Sequence, residues 1–61
     1  MAYLKQVAKR GIMVVQDVPI KARPLYRGCR YIVRNTRTGL TMEEFRRLAD
    51  AIRWAEQNRN S

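Results

Sequence analysis

The sequence predicts a small α+β domain in which an antiparallel β-sheet of two to three strands packs against one C-terminal amphipathic helix. Three observations carry that expectation. Residues 12–18, IMVVQDV, are short, β-branched and ended by Pro19. Residues 26–35, YRGCRYIVRN, form a second apolar stretch with alternating faces. Residues 41–58, TMEEFRRLADAIRWAEQN, have helical periodicity and contain neither Pro nor Gly. The 61 residues make one domain, 1–61, with strands expected at about 3–8, 12–18 and 26–35 and a helix at about 42–58.

In chain order, YLKQVA at residues 3–8 reads as a strand of loose alternation, with a short helix as the alternative. Lys9, Arg10 and Gly11 then read as a three-residue hairpin loop with Gly in the left-handed position. IMVVQDV is apolar enough to be the central strand. PIKARPL, residues 19–25, reads as a connector, since each Pro removes a backbone donor and biases its predecessor away from helix. In the next strand Cys29, Tyr31 and Val33 are assigned to the core side, against the helix. Arg30 and Arg34 then project from the open face, beside Tyr26 and Ile32. NTRTG, residues 35–39, is a turn with Arg37 at its tip. Thr41, three residues before Glu44, has the spacing of a capping box. The helical stripe is read as Phe45, Leu48, Ala49, Ile52 and Ala55, and Trp54 falls off it. Trp54 is either packed on neighbouring side chains or an exposed aromatic anchor for a partner.

Composition narrows the function. There is one cysteine and no histidine, which leaves no intramolecular disulfide, no triad base and little for zinc. Cys29 reads as a small buried hydrophobe. No apolar run approaches 18 residues and no secretory pattern opens the chain, so a cytoplasmic, reducing setting without membrane contact is expected. No Gly-rich phosphate loop and no catalytic constellation is present, so the expectation is a non-enzyme with no cofactor, no metal and no small-molecule substrate.

The net charge of +8 is unevenly spread. Residues 1–40 hold nine Lys or Arg against Asp17 alone, while residues 41–61 hold four Arg against four acids. Ten of the thirteen cations are Arg, which suits bidentate phosphate recognition. The asymmetry points to an anionic partner, with nucleic acid, and duplex DNA above all, as the first expectation. The candidate contacts are Arg30 and Arg34 for base edges or phosphates, and Lys9, Arg10, Arg27 and Arg37 for the backbone. Trp54 and Tyr26 are the candidate partner-binding aromatics. The alternative expectation is a protein-binding modulator, such as a host-enzyme inhibitor, or an assembly subunit or homodimer.

The stretch RYIVRNTRTG, residues 30–39, followed by the LADAIRWAE helix pattern, resembles the N-terminal arm-type DNA-binding domain of tyrosine-recombinase integrases. The resemblance covers about half the chain. It implies a three-stranded antiparallel sheet in the DNA major groove, backed by a C-terminal helix. In that family the turn leads into another strand. Here Thr41 reads as a helix cap, so the third strand is assigned to residues 3–8. Without a catalytic domain, the resemblance implies a free-standing phage or mobile-element regulator.

Overall fold

Consecutive hairpins generate the architecture. In the computed structural model, which describes residues 4–60, four strands run β1 (Lys5–Arg10), β2 (Met13–Asp17), β3 (Tyr31–Asn35) and β4 (Thr41–Phe45). Their order in the sheet is β1-β2-β3-β4, with every neighbouring pair antiparallel. A 3-10 helix, Ile20–Tyr26, lies between β2 and β3, and α1 (Leu48–Gln57) closes the chain. The fold is the expected α+β class with one strand more than expected. Tyr3, the first residue of the strand expected over 3–8, lies outside the described residues.

The first hairpin turns on Gly11 and Ile12 alone, because Arg10 already pairs with Met13. Lys9 and Arg10 are therefore strand residues rather than loop residues. Gly11 has φ +59° and leads a two-residue turn, the place where such hairpins need glycine. The turn is also anchored. Ile12 N donates to Arg59 O at 3.0 Å, and Thr36 donates to Ile12 O from both its N (2.9 Å) and its Oγ1 (2.7 Å).

The second turn explains the additional strand. Asn35 is buried, and its Oδ1 accepts hydrogen bonds from Arg37 N (2.8 Å) and Thr38 N (3.2 Å). Gly39 N donates to Asn35 O, and Asn35 N to Leu40 O, so the chain reverses at once. Thr41 then pairs with Arg34, and Glu43 to Phe45 continue along β3. The Thr41–Glu44 pair is part of a strand, not a capping box, and the helix starts at Leu48 rather than near residue 42. Its N-cap is Arg47, which makes no side-chain capping bond.

Both faces of the sheet are covered, unequally. On one side Met13, Val15 and Val33 meet Ala51 and Ala55 of α1, and all five are fully buried. Two alanines at i and i+4 let the helix approach the sheet closely. The buried stripe is thus Ala51 and Ala55 with Ile52 and Trp54 beside them, while Leu48 and Ala49, expected inside, are exposed. On the other side Val18, Ala22, Cys29 and Ile32 form a smaller cluster with Leu4 and Tyr26 packed on it. The 3-10 helix supplies this cover. Residues 19–25 are therefore structured, and Tyr26 closes the 3-10 helix instead of opening a strand. Cys29 belongs to this second cluster and not to the helix side.

Candidate nucleic-acid interface

The register assigns side chains to the face opposite α1. Lys9, Val14, Arg34 and Thr41 stand in one row across the four strands. Lys9 and Arg34 are two strands apart, about 10 Å at the usual strand spacing. Val14 between them is only 6% exposed. The next row is Gln6, Gln16, Ile32 and Glu44, where Ile32 is covered by the 3-10 helix cluster. The uncovered part of the face is therefore the end that carries Lys9 and Arg34, with Arg37 exposed in the adjoining turn.

This face holds two polar atoms without partners. Arg34 Nε and Gln16 Oε1 are both buried and neither makes a hydrogen bond. They sit diagonally on neighbouring strands, Arg34 opposite Val14 and Gln16 opposite Ile32. A buried donor left unmade costs about 1–3 kcal/mol, so Arg34 is held at an energetic cost to the fold.

The remaining predicted residues scatter. Arg30 has its guanidinium 5.8 Å from the Tyr31 ring centroid, and Tyr31 packs on the α1 side. Arg30 lies just before β3 and Arg34 within it, about 13 Å apart at strand rise. Ile32, expected beside them in the open, is fully buried. Arg10 is half-buried on the α1 side of β1, and its Nε lies 3.4 Å from Glu56 Oε2. Arg27 is exposed at the end of the 3-10 helix in the left-handed conformation, φ 58°. Tyr26 is half-buried against the second cluster. Trp54 is half-buried too, with its ring 6.4 Å from that of Phe45 at 54°. The expected separation of Phe45 and Trp54 on opposite sides of one helix fails because Phe45 is in β4.

Sequence reasoning passed over two features. Thr41 and Gln16 share the face with Arg34. A shallow groove of about 470 Å³ runs between the 3-10 helix and the β4 edge, lined by Leu25, Tyr26, Arg27 and residues 41–44. The place of Thr41 and the groove were not visible while 41–45 read as helix. Cys29 has its thiol pushed up from the ordinary value by burial, and the nearby Glu44 charge adds to this. It stays a protonated, buried thiol at neutral pH.

Among the described residues no group of three or more His, Cys, Asp or Glu is placed to hold a metal ion, and no helix is long and apolar enough to cross a membrane. No protein-family model matches the chain, and neither a curated protein nor a solved structure matches it.

Proposed function

We propose that the chain is a small DNA-binding protein of the phage or mobile-element regulator type, which lays the face opposite α1 against duplex DNA. The observation that carries this reading is the charge map: the whole excess of +8 lies in residues 1–40, and none of it in the segment that forms β4 and α1. Lys9 and Arg34 in one row, with Arg37 at the tip of the next turn, give that excess a face to act from. A short sheet of this size fits the major groove, with phosphate contacts for affinity and Arg34 for a base edge.

Salt-dependent binding to a duplex, followed by fluorescence anisotropy, tests the proposal. Wild type should lose affinity with a log–log slope of about −0.9 per phosphate neutralised. Replacing Lys9, Arg34 and Arg37 together by Ala should flatten that slope by two to three contacts' worth, while Arg46→Ala with Arg47→Ala should change it less. A wild-type chain that leaves duplex DNA unshifted at low salt ends the proposal.

A further inference from the structure

The two edges of the sheet are opposite in charge. The β1 edge carries Lys5, Lys9 and Arg10 and no acid; the β4 edge carries Glu43 and Glu44 and no base. In a chain with thirteen cations, neither β4 carboxylate has an ion-pair partner among the described residues, where the two ion pairs both use Glu56. Each edge also has exposed apolar side chains nearby. Val7 lies on β1, and Met42 and Leu40 lie on and before β4, with Leu25 across the groove.

From these edges we infer a head-to-tail contact in which β4 of one copy accepts β1 of a second copy of this chain. The directions allow it. In an antiparallel order β1-β2-β3-β4 the two edge strands run oppositely, so a copy placed in line offers β1 antiparallel to β4 with both helices on the same side.

The side-chain faces allow it as well. Each edge is interrupted by one irregularity, at Val7 and at Met42, which leaves Ala8–Arg10 and Glu43–Phe45 as the regular segments. Pairing Ala8 with Phe45, Lys9 with Glu44 and Arg10 with Glu43 keeps every partner on its own face. Lys9 and Glu44 meet away from the helices, and the other two pairs meet on the helix side. Self-pairing of like edges is disfavoured by the same charges, because β4 against β4 would bring Glu43 onto Glu43. The contact is heterologous, so it builds chains or closed rings rather than a two-fold dimer. Three residue pairs make a small interface, so the association is weak and transient.

Sedimentation velocity over a concentration series at low and high salt tests this. Wild type should gain mass with concentration at low salt and lose the gain at high salt. The chain with Glu43→Lys and Glu44→Lys should stay monomeric, and so should the chain with Lys9→Glu and Arg10→Glu. An equimolar mixture of the two should associate again, since each then meets an edge of opposite sign. Unchanged unfolding midpoints would show that the variants remain folded, and a destabilised pair is replaced by the neutral Gln versions, each of which should weaken association alone while their mixture regains the one contact between the intact β1 edge of one and the intact β4 edge of the other. A wild type that is monomeric up to high micromolar concentration at low salt overturns the inference and makes the charged edges a guard against self-pairing. Association that survives both variants, or a mixture that does not re-associate, overturns it too.

Discussion

The two faces of the sheet are covered by helices of different kinds, and the contrast separates holding the fold from presenting a surface. Under α1, five residues from β2, β3 and the helix are sealed completely. Under the 3-10 helix, four residues are buried at one end of the sheet, and the other end stays open with Lys9, Arg34 and Thr41. The ten-residue α1 spans the sheet and touches all four strands. The 3-10 helix packs only where Val18, Cys29 and Ile32 lie. That placement leaves part of one sheet face free for contact.

The largest expected effects test whether the two covers differ in stiffness. Met13→Ala on the α1 side should cost about 3–4 kcal/mol in urea unfolding, since the cavity lies between a sheet and a helix that cannot close on it. Ile32→Ala on the other side should cost about 2 kcal/mol, because a short Pro-containing segment can settle into the space. A chain of this size has a total stability of only about 3–9 kcal/mol, so Met13→Ala should sit close to unfolding at 37 °C. Equal losses at the two sites would show that the 3-10 helix is as rigid a cover as α1.

A smaller effect is expected where the α1 side is fastened. A Cβ on Gly11 would overlap the backbone carbonyl of Arg59 and come within 2.9 Å of its Cβ, and Gly11 is also at φ +59°. Gly11→Ala should therefore release the segment after α1 as well as strain the turn, for about 2 kcal/mol. Gly39 has φ +77° with nothing within 4 Å of its added Cβ. Gly39→Ala should show the backbone strain alone, about 1 kcal/mol. Hydrogen exchange at the Ile12 amide would separate the two, because only Gly11→Ala removes its bond to Arg59 O.

Much of this was legible in the sequence, and the failures have physical causes. IMVVQDV announced the central strand because β-branched residues between turns have few other places to go. The α+β class followed from that strand and from LADAIRWAEQ. Residues 41–45 were misread because Thr, Met and Glu suit a helix start, and local propensity is weaker than the pairing offered by an adjacent strand. The decisive residue was Asn35, whose side chain closes the turn and delivers Thr41 to Arg34. The buried stripe of the helix is centred on Ala51 and Ala55, and Trp54 meets Phe45. The connector with two prolines hid its 3-10 helix, since Pro removes donors but permits this short form. Arg34 and Lys9 could be named from charge, but only the register joined them in a row.

The smallest expected change in stability is at Arg34, and it is the sharpest test of the division between the two faces. Its Nε is buried without a hydrogen bond, as is Gln16 Oε1 on the neighbouring strand. Replacing such a group by an apolar side chain of similar length removes a desolvation cost and leaves the packing over Val14 in place. Arg34→Met should then unfold within about 0.5 kcal/mol of wild type, or later. If Arg34 serves the surface and not the core, the same variant should weaken duplex binding and reduce the salt slope by about one contact. A marked loss of stability with unchanged DNA binding would move Arg34 into the structural half of the molecule and leave Lys9 and Arg37 without a central partner.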